Sequence, residues 1–186
     1  MATSTKYDAH YLAIGRMLVV FQTLEATMKD GLVLLVNNQL GTPGGQLAYI
    51  TISDLSFGTA TQLASALPEA FTAARIGAKD DESTKLLEDA LASAEGRLKE
   101  GLKMARQVEQ RRNQLVHSRW FVNPSVVADP GMMMRMKTTN RGRSMTIHFK
   151  SESIADVDAN TEKTRRAQLL IGSALRDYHH IAQQSW

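Results

Sequence analysis

Between Tyr7 and Asn38, the apolar residues Ile14, Leu18, Phe21, Met28, Leu32 and Leu35 recur at intervals of three, four or seven. That is the period of one helical face, so the segment predicts an amphipathic helix. Asn37, Asn38 and Gly41 are stop signals, and Thr42-Pro43-Gly44-Gly45 reads as a loop. A shorter helical region follows from Ser53 to Arg75, with Ser53 or Asp54 as its N-cap and Pro68 as a break or a new first turn. Asp80-Asp81-Glu82 sets acids at the positive end of a helix dipole and opens the longest helix, which runs to about Ser118. Its stripe is Leu87, Leu91, Ala94, Leu98, Leu102 and Ala105. Asn123-Pro124 and Asp129-Pro130-Gly131 close the helical pattern.

The period then changes to two. Met132, Met134 and Met136 alternate with Met133, Arg135 and Lys137, and Met145, Ile147 and Phe149 alternate with Thr146, His148 and Lys150. With Asn140-Arg141-Gly142 between them, residues 131–150 predict a β-hairpin with one apolar and one basic face. An isolated hairpin is marginal in water, so the Met-rich side is expected to pack on the helices or on a partner. A last helix spans about Asp156 to Gln183, with Ala167, Leu170, Ala174 and Tyr178, or Ile171 and Leu175 beside them, turned inward. The predicted fold is mainly all-α: four to five bundled helices in a single domain over 1–186, with the hairpin inserted before the C-terminal helix.

Two apolar rows are interrupted. On the first helix Ile14, Leu18 and Phe21 lead to Glu25, and on the long helix Leu98, Leu102 and Ala105 lead to Glu109 and Arg112 before Val116. A charge on a buried stripe is costly unless it is paired or faces a cleft. Glu25 and Arg112 are therefore candidates to neutralise each other across packed helices, with Glu109 as a second partner. The alternative is that this end of the stripe is exposed.

Charge sharpens the picture. The net charge of +3 is uneven: from Arg97 to Lys150 there are twelve Lys or Arg against Glu100, Glu109 and Asp129. A basic middle on an otherwise acidic chain suits a polyanion, because phosphate contacts release counterions; a solvated helix face is the plainer account. The absence of cysteine excludes disulfides, thiolate nucleophiles and cysteine-ligated metals. Met1–His10 carries no charged leader before an apolar core, and Gly31–Val36 is too short to cross a bilayer. A cytoplasmic protein without membrane contact is the expectation.

Arg112-Asn113-Gln114-Leu115-Val116-His117, followed by Ser118 and Trp120, resembles the signature of the HEPN superfamily: an arginine, a polar residue, and a histidine four to six positions beyond the arginine. The long helix that carries it, and an early helix with Leu24-Glu25, match that family's layout over roughly residues 10–120 and the last helix; the hairpin looks like an insert. The resemblance implies a HEPN-type bundle acting as a homodimer. It implies either a metal-independent endoribonuclease of the toxin–antitoxin or phage-defence kind, or an inactive module that dimerises and binds a protein or nucleic acid. A cognate antitoxin or other protein partner belongs to the same expectation.

The chemistry is coherent with RNA, which carries its own nucleophile in the 2′-hydroxyl. His117 would move protons near neutrality, and Arg112 would hold the scissile phosphate with a fixed fork of donors. Asn113 would orient the phosphate or Arg112. Arg111, Arg119, Arg135, Lys137, Arg141 and Arg143 would contact the backbone. Neither a cofactor nor a metal enters this scheme. The structural alternatives are a C-terminal histidine favoured by the helix dipole and an arginine in a buried salt bridge. Arg112 and His117, five residues apart, sit about 140° apart around an ideal helix and about 7.5 Å along it, so they converge only if the helix ends or distorts near His117 or if two copies of the helix meet across a dimer axis.

Other sites fail on chemistry. Asp156-x-Asp158-x-Asn160 begins like a calcium loop but has Thr161 and Ala167 where glycine and glutamate are required. Thr42-Pro43-Gly44-Gly45 lacks the lysine of a phosphate loop. His179 and His180 are adjacent and diverge on a helix, and Ser118 lacks a nucleophile elbow. A DNA-binding regulator using the hairpin is a weaker alternative, without helix-turn-helix spacing to support it.

Overall fold

A computed structural model describes residues 4–37, 41–74, 82–121, 132–141 and 144–185. Five helices and three strands follow one another: α1 Ser4–Val36, α2 Pro43–Ser53, α3 Phe57–Ala74, α4 Glu82–Val116, β1 Arg119–Phe121, β2 Met132–Arg141, β3 Ser144–Ser153 and α5 Ile154–Ser185. The chain is thus mainly helical, with a small antiparallel sheet ahead of its last helix. Asn38, Asp80, Asp81, Asn123-Pro124, Asp129-Pro130-Gly131 and Gly142-Arg143, which carried expected stops, caps and turns, lie outside the described residues.

Local chemistry explains where the helices begin. Thr42-Pro43 is a helix start rather than the expected loop: Thr42 Oγ1 accepts from the Gly45 amide at 3.2 Å, and Pro43 takes the first turn, where its missing N–H costs nothing. Asp54 ends α2 instead of opening the next helix, and Ser56 is the cap of α3, accepting from the Thr59 amide at 3.1 Å. Helix α3 then continues through Pro68. Helix α5 opens on a reciprocal cap. The Asp156 amide donates to Ser153 Oγ at 3.0 Å, while the Ser153 amide and hydroxyl donate back to the Asp156 carboxylate at 3.3 and 2.7 Å. That pair of hydrogen bonds holds the Asp156 carboxyl below its ordinary range.

The chain divides into two compact units, residues 1–22 with 107–164 and residues 23–106 with 165–186, so α1, α4 and α5 each contribute to both.

In the second unit, Gly31 of α1 lies against Leu175 and Gly101 of α4 against Ile171, so α5 approaches both helices closely. A methyl group at Gly101 would sit 2.7 Å from Ile171 Cγ1 and 3.2 Å from its backbone nitrogen. Helix α3 joins through Thr61, beside Met28, and through Phe71, whose ring lies 4.8 Å from that of Tyr178. Burial, with the Glu95 charge, pushes the Tyr178 hydroxyl up to about 12. Lys29 of α1 donates to the Ser53 carbonyl at 2.9 Å and so ties down the end of α2. On α5 the inward set is Ala167, Ile171, Ala174, Leu175, Tyr178 and Ile181, which chooses Ile171 over its neighbour Leu170.

In the first unit, Ala13 and Met17 of α1, Leu115 of α4 and Val157 of α5 form a core, packed by Ile14, Trp120 and Ile154. The sheet order is β1-β2-β3. The expected hairpin is present, in unbroken register from Met132↔Ser153 to Arg141↔Ser144. Strand β1, read as chain beyond the helix, adds a third strand through Arg119↔Met136, Trp120↔Arg135 and Phe121↔Met134. The faces are reversed from the expectation. Met133, Arg135 and Glu152 are the buried side, whereas Met132, Met134 and Met136 are half-buried and Ile147 and Phe149 are 44% and 59% exposed.

Candidate functional site

The buried row of α4 runs Ala94, Leu98, Leu102, Ala105, Val108 and Leu115. Steps of three and four from Val108 to Leu115 pass through both Arg111 and Arg112, so the two arginines share the end of the buried row. Arg112 is half-buried. Its guanidinium carbon lies 5.2 Å from the centroid of the buried Phe21 ring, and Nη1 donates to Asn113 Oδ1 at 2.8 Å. A π face and an amide oxygen therefore hold the cation where a methylene chain would otherwise be expected.

The companion interruption is different. The buried row of α1 is Ala13, Met17, Phe21, Leu24, Met28 and Leu32; it keeps Phe21, Met28 and Leu32 of the row read off the sequence, while Ala13 and Met17 stand in for their neighbours Ile14 and Leu18. Glu25 flanks that row rather than breaking it. Its carboxylate pairs with Lys29 at 2.8 Å and is 27% exposed, so its charge is met within its own helix. Glu109 likewise lies beside the row and is half-buried.

His117 is the first residue past α4. Its amide still donates to the Asn113 carbonyl at 3.1 Å, so helical geometry persists to this point, and its side chain is exposed. Among the described residues no hydrogen bond joins it to Arg112. The structure thus brings Arg112 and Asn113 together and leaves His117 on open surface nearby along the helix.

The end of the helix is tied off by residues that follow the motif. Ser118 Oγ donates to the Gln114 carbonyl at 2.5 Å, and Trp120 Nε1 donates to the Leu115 carbonyl at 3.0 Å. Both satisfy carbonyls that a helix end leaves without partners. Ser118 and Trp120 therefore have a structural task.

Beside this cap lies a cluster that the sequence reading missed. Glu152, 1% exposed, accepts from both terminal nitrogens of Arg111, one of them at 2.9 Å, and from Arg135 Nε at 3.0 Å. Arg135 also reaches Ser118 Oγ at 3.3 Å, and Lys150 Nζ stands 3.8 Å from the carboxylate. Burial alone pushes the Glu152 carboxyl up, but the hydrogen bonds and charges of Arg111, Lys150 and Arg135 outweigh it and hold the group below the usual range. Two of the expected phosphate contacts, Arg111 and Arg135, are consequently engaged: their guanidiniums neutralise a buried acid instead of standing open. The sequence signal for Glu152 was faint, an acid in a strand whose neighbours are basic or polar.

Arg119 is exposed on β1, and Lys137 is half-buried on β2 beside His148. Arg141 closes β2, and Arg143 lies outside the described residues. Clefts of about 530 Å³, lined by Leu86, Arg97, Asp177 and His180, and of about 570 Å³, lined by Val36, Leu47, Ile52 and Leu63, both belong to the second unit. No described helix is long and apolar enough to cross a membrane. No protein-family model matches this sequence, and neither a curated protein nor a solved structure matches it.

Proposed function

We propose that the chain is a HEPN-like, metal-independent endoribonuclease of toxin–antitoxin or phage-defence type, working as a cytoplasmic homodimer on RNA. The observation that supports the reading is Arg112. It is a half-buried cation at the end of a buried row, set against Phe21 and hydrogen-bonded to Asn113, about 1.4 helical turns before an exposed histidine. A half-buried arginine of this kind is costly to keep for structure alone.

In this mechanism a 2′-hydroxyl of the RNA attacks the adjacent phosphorus. His117 takes the hydroxyl proton, or returns one to the departing 5′-oxygen, and Arg112 binds the charge that builds on the phosphoryl oxygens. The products are a 2′,3′-cyclic phosphate and a 5′-hydroxyl end. A helix sets Arg112 and His117 about 140° apart around its axis, so the groove draws its second half from another copy. The test is incubation of purified protein with single-stranded RNA in EDTA. Cleavage with those ends should persist, and His117→Ala and Arg112→Ala should each slow it by about 100-fold or more. Cleavage that EDTA abolishes, or that both variants retain, rejects the proposal.

A second reading is favoured by a separate observation. Arg111 and Arg135 are committed to Glu152, while Ile147 and Phe149 stand exposed on the sheet. That distribution suits a noncatalytic module whose sheet meets a partner. It predicts no RNA cleavage under any condition.

A further inference from the structure

His117 has an exposed side chain, so the place of its imidazole follows from the backbone that carries it. That backbone is the end of α4, where helices ordinarily fray because the last carbonyls lack amide partners. Here those carbonyls are answered in order. Asn113 accepts from the His117 amide at 3.1 Å, Gln114 from the Ser118 hydroxyl at 2.5 Å, and Leu115 from Trp120 Nε1 at 3.0 Å. The last two ties come from residues beyond His117, and both lead into the sheet.

Strand register shows how. Trp120 and Arg135 are Cα partners in β1 and β2, so their side chains stand together on one face. Arg135, 8% exposed, divides its guanidinium: Nε donates to Glu152 at 3.0 Å and Nη1 to Ser118 Oγ at 3.3 Å. Glu152 also holds Arg111 of α4. The hydrogen bonds thus close a circuit within the first unit, from Arg111 through Glu152, Arg135 and Ser118 back to the Gln114 carbonyl of α4. A hydroxyl that accepts from a cation is the stronger donor, so Arg135 tightens the Ser118 cap.

We propose that Arg135 is a positioning residue for His117: from the sheet, through the Ser118 hydroxyl, it sets where the end of α4 holds the imidazole. The proposal rests on the nuclease reading, in which His117 moves the proton. It gives Arg135 a different task from the phosphate contact expected of it. A guanidinium engaged by Glu152 and Ser118 acts on the reaction through the histidine and not on RNA directly. Misplacing a reacting group by about 1 Å can cost about 100-fold in rate, so a loosened cap shows in turnover rather than in RNA affinity.

The experiment compares Arg135→Lys, Ser118→Ala and Ser118→Thr in the full chain, with circular dichroism checking helicity. Lysine keeps the charge that Glu152 requires but lacks the fork that reaches the hydroxyl as well. In Arg135→Lys and Ser118→Ala, kcat for cleavage of single-stranded RNA in EDTA should fall about tenfold or more, with KM within about twofold and the salt slope of binding unchanged. Ser118→Thr, which keeps the hydroxyl, should recover the wild-type rate. Amide hydrogen exchange, read without RNA, should show the His117 amide exchanging about tenfold faster in the same two variants, with the Leu102 amide unchanged. Ser118→Ala, at a half-buried position, decides the matter if Arg135→Lys fails to fold. Exchange at His117 that Ser118→Ala leaves unaltered overturns the proposal, whatever the activity. So does an Arg135→Lys that loses affinity and salt slope at constant kcat, which would return the arginine to the RNA. A wild type that cleaves no RNA rejects the nuclease reading and the positioning role with it, while the exchange data then show whether the cap itself stands.

Discussion

With 1% of its side chain exposed and two guanidiniums on its carboxylate, Glu152 balances charges that would otherwise be buried without a counterion. Glu152→Gln keeps the shape and removes the charge, leaving Arg111 and Arg135 facing each other. Breaking a buried pair in this way costs about 3–5 kcal/mol, readable as a lowered denaturation midpoint in urea. The pH dependence follows from the direction of the shift. The folded carboxyl lies below its unfolded value, so its contribution is complete above the ordinary carboxylate value of 4.5 and drains away as pH falls through the folded one. The acid limb of the stability curve should be shallower in Glu152→Gln than in the wild type. It should not vanish, because Asp156 is shifted in the same direction. His10 is the opposite case. It is 1% exposed, and neither ring nitrogen finds a partner among the described residues. A buried polar group without a partner costs about 1–3 kcal/mol, so His10→Leu should raise the urea midpoint; a fall would mean that the imidazole has a partner in solution.

At the scale of elements, helix packing in the second unit turns on where a methyl group fits. A Gly→Ala change inside a helix ordinarily gains about 0.5–1 kcal/mol. Gly96, with nothing within 4 Å of its added carbon, should show that gain. Gly101→Ala should instead lose about 1–3 kcal/mol, because Ile171 presents its backbone as well as its side chain at the contact. Thermal melts of the two variants should move in opposite directions. The same packing explains what the sequence disclosed. Long periodic segments revealed α1, α4 and α5, and period-two alternation revealed β2 and β3. The phase of α1 was legible at Phe21, Met28 and Leu32 and hidden nearer its start, because apolar residues continue around it there: Leu12 and Val19 are 60% and 61% exposed, while Ile14 and Leu18 only flank the buried row. The orientation of the hairpin was hidden for another reason. Which face turns inward depends on Glu152 meeting arginines 41 and 17 residues away, and no local window contains that information.

For the whole molecule, the count of cations between Arg97 and Lys150 was plain in the sequence, and their division into committed and available charges was not. Arg97 pairs with Asp177, Lys99 with Glu95, and Arg111 and Arg135 with Glu152, whereas Arg119 is exposed on β1. The resemblance at Arg112–His117 named a candidate chemistry, and the coordinates add that Arg112 lies over the Phe21 ring while Glu25 pairs with Lys29. This division makes the polyanion reading testable by salt dependence. Each phosphate that a cation neutralises contributes about −0.7 to the slope of log affinity against log salt for a single strand. Arg119→Ala and Lys137→Ala should each reduce that slope by about 0.7 and leave the melting temperature nearly unchanged. Arg111→Ala should do the reverse, lowering stability while the slope of the remaining folded protein holds, because its guanidinium already answers Glu152. Fluorescence anisotropy with a labelled RNA at several salt concentrations measures all three variants. A slope that falls with Arg111→Ala and not with Arg119→Ala would mean that RNA displaces Glu152 from the arginine, and the basic surface would then have to be redrawn around the cluster.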